Sequence, residues 1–551
     1  MAAKKWENWK QGDDFVTWGS LVQVVGGVAL FLYGIKLMSE ALQFLAGDKM
    51  RQLIGSLTKT PIRGVVIGAV VAMLIQSSSG TTVMTVSFVH AGLMTLKQAV
   101  GVIMGANIGT TVTAQIVAFK IKDFALPILA AGVLLIFFGR TKRQRYMGNG
   151  LVGFGLLFMG MQTMEGSMSF LRTRKEYFLA FSSNPFLGVL VGTVVTMIVQ
   201  ASSATIGLTM AMASQGLLSL EAAIPILLGD NIGTTITAVL ASMGSNRAAK
   251  QAAAAHVLFN VIGVAIFLPG LPLFIKVVSS TSEDIARQLA NAHSLFNVTN
   301  TVFFLPFVSL YVRLIRFIVP DKGGIRLSGP MYLDLKLVSA SPAAAVDAVK
   351  KEILHMGNLA DSMLTCVRKA FLESDPKMID EVNETEKSVN EINRAIASYA
   401  SEVWQGGLSE DLSKVLGAYV NGVGDVERVG DHATNLIELF EYKMDHGLEF
   451  SPVATEEFKD MFDTVQNAVR LSLKSLEEED PVKAQEVDVI EAEVDRKEKT
   501  LRRNHITRLN RGECSPQGGV IFIDILSNLE RVCDHAHNLS FIALDIARLH
   551  N

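Results

Sequence analysis

The residues equipped to do chemistry form two short polar runs set inside apolar sequence. Gln76-Ser77-Ser78-Ser79-Gly80-Thr81 is the first, and Gln200-Ala201-Ser202-Ser203-Ala204-Thr205 the second, from position 76 to 200 at an offset of 124. The register holds without a gap on either side: Pro61 falls on Pro185, Gly64 on Gly188, Gly68 on Gly192, Gly92 on Gly216 and Asn107 on Asn231. Gly105–Ala114 (GANIGTTVTA) reappears as Gly229–Ala238 (GDNIGTTITA). Two polar clusters per copy, each within hydrophobic sequence, are the pattern of a binding site made by duplication. Serine hydroxyls donate to anions, while hydroxyl and freed carbonyl oxygens suit a hard cation such as Na⁺. A half-helix starting at each run would aim its unpaired N–H groups and positive dipole end into the site. No lysine or arginine lies in either run, so the charge of a bound anion would be offset by cations beside it.

The candidate ligands are Gln76, Ser77, Ser78, Ser79, Thr81, Asn107, Thr110 and Thr111, with Gln200, Ser202, Ser203, Thr205, Asn231, Thr234 and Thr235 in the second copy. Asn107 and Asn231 read as unwinding points in full helices, the following glycine allowing departure from helical geometry. The bland alternative is that these hydroxyls and amides only join helices to one another. A nucleophilic-serine enzyme would need a base within hydrogen-bond reach; His90 has no counterpart in the second copy, where Ser214 stands, and takes no role. No catalytic residue is expected. Asp230, opposite Ala106, is either a cation ligand or an interfacial helix cap. A smaller echo, His256-Val-Leu-Phe-Asn260 against His293-Ser-Leu-Phe-Asn297, is read as structural.

The elements that must position these groups are membrane helices. Up to Val319 the chain runs in apolar stretches of roughly 17–25 residues, the length that crosses a bilayer. Ile62–Ile75 and Thr82–Leu96 are short for crossings, as are Pro185–Val199 and Thr205–Leu220, so each polar run marks the tip of a re-entrant hairpin. Gly19–Ala46, Val100–Phe119, Phe124–Phe138, Gly148–Met168, Glu221–Ser242, Ala252–Ile275 and Ser294–Val319 read as seven crossings. An odd number per repeat turns the second copy upside down. Lys49, Arg51, Lys59, Arg63, the Arg140–Arg145 loop, Arg247, Lys250, Arg313 and Arg316 favour an external amino terminus and a cytoplasmic carboxyl-terminal half. Lys4, Lys5, Lys10, Arg172, Arg174 and Lys175 oppose that orientation.

Segments are therefore expected as a polar stretch 1–18, a transport domain 19–320 (repeats 19–139 and 148–242, then helices over 252–319), a linker 321–341 and a helical domain 342–551. In that last domain the sequence turns charged, in two sets of three helices: Pro342–Leu372, Pro376–Trp404 and Ser409–Phe440, then Ala454–Glu478, Pro481–Leu509 and Gly518–Leu549. Asp425-Val-Glu427-Arg-Val-Gly-Asp431-His-Ala-Thr-Asn435 matches Asn528-Leu-Glu530-Arg-Val-Cys-Asp534-His-Ala-His-Asn538, Glu427 falling on Glu530. Carboxylates four apart share a helix face, and such pairs meeting across helices hold hard or iron-type metals. Glu386, Glu427, Asp431, Glu491, Asp495, Glu530 and Asp534 are the candidates, with Asn390 where an acid would complete the first set. Cys366, Cys514 and Cys533 have neither pairing nor zinc spacing, as in a reducing compartment. A net charge of −3 is close to neutral and says nothing about nucleic acid, but the lack of a basic cluster with interleaved aromatics argues against it. No removable signal peptide is read at the amino terminus.

The doubled Gln-Ser-Ser followed by Gly-x-Asn-Ile-Gly-Thr-Thr resembles the sodium/phosphate cotransporter type II family over roughly 19–319. The charged half resembles the PhoU phosphate-regulatory protein, whose three-helix bundles carry Glu/Asp-x-x-x-Asp metal clusters. The resemblance implies an all-α polytopic membrane protein with inverted repeats and two re-entrant hairpins, followed by a PhoU-like pair of bundles. It implies sodium-coupled phosphate import across the plasma membrane, with Na⁺ as coupling ion and a divalent or iron-type metal in the PhoU-like part. Partners are inorganic phosphate, sodium ions and the lipid bilayer, with a homo-oligomer or a phosphate-signalling partner left open. Another oxyanion, or a membrane sensor that binds phosphate without moving it, are the alternatives. Ala201 and Ala204 stand where the first copy has Ser77 and Gly80, so the two half-sites are not equivalent.

Overall fold

In a computed structural model of the protein, residues 14–55, 60–119, 124–168, 184–320 and 329–550 are described. The basic residues expected near Lys4–Lys10 and Arg172–Lys175, Lys59, and the linker through residue 328 lie outside them. Every regular element among the described residues is helical. The chain divides into two compact units, Met1–His90 with Met94–Asp321, and Ala91–Leu93 with Lys322–Asn551.

The first unit opens with α1 (Asp14–Gly55), then α2 (Pro61–Ile75), α3 (Ser78–His90), α4 (Leu96–Val117) and α5 (Ala125–Phe138). The second copy follows as α6 (Lys142–Ser167), α7 (Pro185–Val199), α8 (Ser202–Ser214), α9 (Leu220–Thr234) and α10 (Ile236–Ser242). Proline at the first position, whose missing N–H is unneeded there, starts both α2 and α7, behind the caps Thr60 and Asn184. Both end at a glutamine in the left-handed region, Gln76 and Gln200, each at φ 55°. The chain then turns and restarts as a second short helix.

Glycine decides how these pieces pack. A methyl group on Gly68 would lie 2.1 Å from the Val102 carbonyl oxygen, and one on Gly105 2.0 Å from that of Val65. The second copy repeats this: Gly192 faces the Ile226 carbonyl and Gly229 that of Val189, each at 2.0 Å. Later residues of α2 meet later residues of α4, so those helices run parallel, and α3 carries the chain back between them. The pair α1 and α6 instead crosses antiparallel: a methyl group on Gly34 would lie 2.5 Å from the Gly153 carbonyl oxygen, and one on Gly160 2.6 Å from that of Gly27.

The glycines beside Asn107 are thus spent on close approach rather than on unwinding. α4 runs unbroken through Asn107, a correction to the unwinding read there. α9 is also helical at Asn231 and ends only at Thr234.

Two further helices are shorter than their apolar runs. Pro269 and Gly270 stop α11 (Arg247–Phe267) before α12 (Leu271–Ser279), where one helix over Ala252–Ile275 was expected. α13 (Ile285–Phe304) passes through a 3₁₀ turn, Leu305–Phe307, at Pro306 into α14 (Val308–Ile318). Among the described residues five segments are long and apolar enough to cross a membrane: Gly19–Leu45, Leu96–Val117, Leu220–Ser242, Arg247–Phe267 and Ile285–Ile318.

The second unit begins with a short helix, α15 (Leu335–Ala340), inside what the sequence suggested was linker; Asp334 caps it and Leu337 is buried. Six long helices follow: α16 (Pro342–Glu373), α17 (Lys377–Gln405), α18 (Glu410–Asp445), α19 (Pro452–Glu478), α20 (Pro481–Asn510) and α21 (Pro516–His550). Ser341, Ser409, Ser451 and Asp480 cap their starts, taking up otherwise unpaired N–H groups. Tyr419, Phe440, Phe458, Phe462 and Phe522 fill the core. α18 and α21 cross closely at Gly422, where a methyl group would sit 2.1 Å from the Ile542 side chain.

Candidate functional site: two hairpin tips and a buried polar seam

At the first tip the glutamine is enclosed. Gln76 is 7 % exposed, accepts from the Thr113 hydroxyl on α4 at 2.7 Å and donates to the Met73 carbonyl at 2.6 Å. Ser77 caps α3: its hydroxyl accepts from the Gly80 N–H at 3.0 Å, and its carbonyl takes the Thr81 hydroxyl at 3.0 Å. Ser78 and Thr81 are buried, and Ser77 and Ser79 half-buried. Ser39 on α1 donates to the Ile75 carbonyl at 2.5 Å, tying down the end of α2.

The second tip is built differently. Gln200 is exposed, Ser202 and Ser203 are half-buried and Thr205 is buried. Ala201 cannot cap α8, so no side chain satisfies the first N–H groups of that helix. Thr205 instead lies 2.9 Å from the Thr196 hydroxyl, which donates to Asp230 at 2.7 Å. Asp230 sits inside α9, whose cap is Ser219, so it is not a cap. Its second oxygen is buried without a protein partner. In the first copy the places of Thr196 and Asp230 are taken by Ala72 and Ala106. A carboxylate in such surroundings is costly unless a proton or cation neutralises it.

Asn107 and Asn231 are buried and turned toward the helices after the repeats. Asn107 lies 3.4 Å from His256 on α11, and Asn231 accepts from Asn297 on α13 at 3.2 Å. The two halves of the echo behave alike: Asn260 donates to the His256 carbonyl at 3.0 Å and Asn297 to that of His293 at 2.9 Å. Free valences remain on Asn107 Nδ2, His256 Nδ1, Asn260 Oδ1, His293 Nδ1 and Asn297 Oδ1. Few buried polar atoms go unpaired in folded proteins, so this seam resembles a polar lining more than packing.

α13 also reaches the first repeat, where Gln115 donates to Asn291 and Ser294 at 3.1 and 3.0 Å. Thr110, Thr111, Thr234 and Thr235 are buried and bond backwards to carbonyls of their own helices. His90, given no role, accepts from the Asn246 N–H at 3.1 Å at a helix end. Thr113, Thr196, His256 and His293 belong to these networks too; of the four, only the histidines had a sequence signal, the repeated His-x-Leu-Phe-Asn.

In the second unit, Glu491 and Asp495 on α20 and Asp534 on α21 each bring one oxygen within 4.8 Å of the others. Burial first, and then neighbouring acids, raise the carboxyls of Asp534 and Glu530, and burial does the same for Glu491. A hard cation would relieve that repulsion. Glu530 stands close by, outside the triad. The first set is not assembled: Glu386 accepts from Asn390 at 2.6 Å, and Glu427 and Asp431 join no such group among the described residues. The matched motifs pair across the bundles instead. His432 lies 2.9 Å from Asn528, and His535 lies 3.0 Å from Asp425.

The family described as Na⁺/Pi-cotransporter matches residues 30–166 and again 168–291, and the PhoU domain matches 353–440 and 458–543. The chain is 33% identical over 267 residues to "Uncharacterized protein YqeW" of Bacillus subtilis, covering 48% of this chain and 87% of that one. It is 22% identical over 400 residues to "Putative inorganic phosphate export protein YjbB" of Escherichia coli, covering 72% and 73%. Human "Sodium-dependent phosphate transport protein 2B" is 39% identical over 102 residues, 18% of this chain and 15% of that one. PhoU from Pseudomonas aeruginosa aligns structurally with TM-score 0.35 and 23% identity, over 37% of this chain and 98% of that one.

Proposed function

The chain belongs to the Na⁺/Pi-cotransporter family and carries a PhoU domain, and from that premise we propose that it couples phosphate import to the Na⁺ gradient across the plasma membrane. One observation carries the reading. Each repeat holds a broken helix whose second half starts at serine and threonine, and at the second tip those first N–H groups have no side-chain cap. Phosphate would bind there through N–H and hydroxyl donors. Na⁺ would sit on the neighbouring hydroxyl and carbonyl oxygens, with Asp230 as the one fixed negative ligand.

The antiparallel crossing of α1 and α6, the opening helices of the two copies, supports an inverted relation between them. The parallel run of α2 and α4, with α3 returning between them, supports a re-entrant hairpin. The PhoU part, placed in the cytoplasm, would report phosphate status to the transporter, with a hard cation on Glu491, Asp495 and Asp534.

Export is the second reading, favoured by the name of the Escherichia coli relative. The test is uptake of labelled phosphate into proteoliposomes with inward, outward and no Na⁺ gradient. Import predicts accumulation driven only by inward Na⁺; drive by an outward gradient selects export, and competition by sulfate another oxyanion. Gln76→Ala and Ser203→Ala should each abolish uptake in folded protein, and full activity in both would remove the site. Deleting residues 331–551 should change the response of uptake to phosphate supply; an unchanged response removes the regulatory role.

A further inference from the structure

One stretch of sequence occurs twice in this protein, helical in both copies but bonded differently. Ile108-Gly-Thr-Thr-Val-Thr-Ala114 and Ile232-Gly-Thr-Thr-Ile-Thr-Ala238 differ by a single methylene, Val112 against Ile236. In the first copy the helix runs on to Val117, and Thr113 is buried with its hydroxyl on Gln76 at 2.7 Å. In the second, α-helical bonding is interrupted for one residue at Thr235, which keeps helical backbone angles (φ −68°, ψ −18°). The bonding tightens there to the i+3 kind, Thr235 N–H to the Ile232 carbonyl at 3.0 Å and Ala238 N–H to the Thr235 carbonyl at 3.1 Å, and the helix resumes as α10 at Ile236. Thr237, the counterpart of Thr113, donates to the Thr234 carbonyl at 2.9 Å and not to Gln200.

The glutamines share their backbone, φ 55° in each, yet Gln76 is enclosed and Gln200 exposed. Within the seven residues the copies differ by one methylene, so the form of each is set by what surrounds it: Asp230 against Ala106 before the segment, Val239 against Gln115 after it, and Ala201 against Ser77 at the tip. A segment whose form is set by its surroundings is suited to switching.

We propose that the glutamine at each tip and the threonine that follows Gly-Thr-Thr in its repeat form a latch, and that the two latches alternate. In the present state Gln76–Thr113 is closed and Gln200–Thr237 open. In the opposite state the segment 232–238 regains regular α-helical bonding, Thr237 reaches Gln200 and encloses the second tip. The segment 108–114 then takes the tightened form and frees Gln76. Each half-site becomes accessible when its own latch opens, which is what moving an anion from one side to the other requires. The proposal takes its purpose from the transport reading, but its geometry comes from the two copies alone.

The test is proximity in the full-length protein in liposomes, with a short bifunctional thiol linker and mass identification of the joined peptides, so that Cys366, Cys514 and Cys533 do not confuse the result. The pair Gln76→Cys with Thr113→Cys reports the first latch, and Gln200→Cys with Thr237→Cys the second. At rest the first pair should link and the second should link little. Thr113→Val, which removes one buried hydrogen bond, should raise linking of the second pair by about threefold to tenfold. Na⁺ and phosphate together should raise it as well.

A second measurement avoids cysteines near the tips. Thr237→Val should lower the maximal rate of phosphate uptake while phosphate binding stays within about twofold, and thermal stability should show that the variant folds. If Thr113→Val leaves linking of the second pair unchanged, or Thr237→Val carries phosphate at the wild-type rate, the latch is wrong. Should wild-type protein move no phosphate while Thr113→Val still shifts the links, the transport reading fails and the paired switch stands.

Discussion

Gly105→Ala adds one methyl group to the closest helix crossing in the first repeat. Its carbon would lie 2.0 Å from the Val65 carbonyl oxygen and 2.7 Å from the carbonyl carbon. Ordinary C···O contact begins at about 3.3 Å, so α2 and α4 would have to part by about 1.3 Å. Both atoms are backbone within helices, so no side-chain rotamer can absorb the clash. Overpacking of this kind costs about 1–3 kcal/mol, which should lower the melting temperature in detergent by about 2–10 °C.

The functional loss should exceed what stability explains, because the same two helices hold the 2.7 Å bond between Gln76 and Thr113. Uptake at a temperature where the variant is folded should fall at least tenfold. Gly166→Ala is the matched control: nothing lies within 4 Å of the added carbon, and the residue is exposed in α6. It should be neutral or stabilise by up to about 1 kcal/mol. If Gly105→Ala melts and transports like the wild type, glycine is not what sets the α2–α4 separation and the packing account fails.

Asp230→Asn keeps the shape of the second polar group and removes its charge, so phosphate uptake should lose steepness in Na⁺ concentration; an unchanged Na⁺ curve would exclude Asp230 as a cation ligand. Calorimetry of the full chain with Mn²⁺ should show a site lost in Asp534→Asn and kept in Glu427→Gln, and equal binding by both would place the metal elsewhere. That binding should strengthen as pH rises above the ordinary carboxylate range: burial raises the carboxyls of Glu491 and Asp534, and the cation binds their deprotonated forms. Maleimide at pH 8 should modify half-exposed Cys514 first, while buried Cys533, its thiol pushed up to about 12 mainly by burial, should react orders of magnitude more slowly; comparable rates would show the second bundle open.

Reading the chain alone was enough for the all-helical class and for the division into an apolar and a charged half, because apolar run length and helical periodicity are properties of contiguous sequence. The duplication was equally plain, as was the break at each Gln-Ser-Ser run, where proline starts the first short helix and polar residues end it. The starts of most charged-half helices followed from their prolines and caps.

Other features needed the fold. A glycine next to Asn107 is compatible with unwinding or with close packing, and only the Val65 carbonyl across the crossing decides for packing. Glu427 and Asp431 look the same in sequence as Glu530 and Asp534, but among the described residues an oxygen cluster forms where a neighbouring helix supplies Glu491 and Asp495. Asn390 stands at the equivalent place in the other bundle and bonds Glu386 instead. Ala201 and Ala204 already made the two tips unequal in sequence, but which tip would be enclosed was not legible. Nearly identical heptapeptides take an unbroken and a locally tightened helical form, and what differs is the residues that flank and pack against each copy, Asp230 against Ala106 among them.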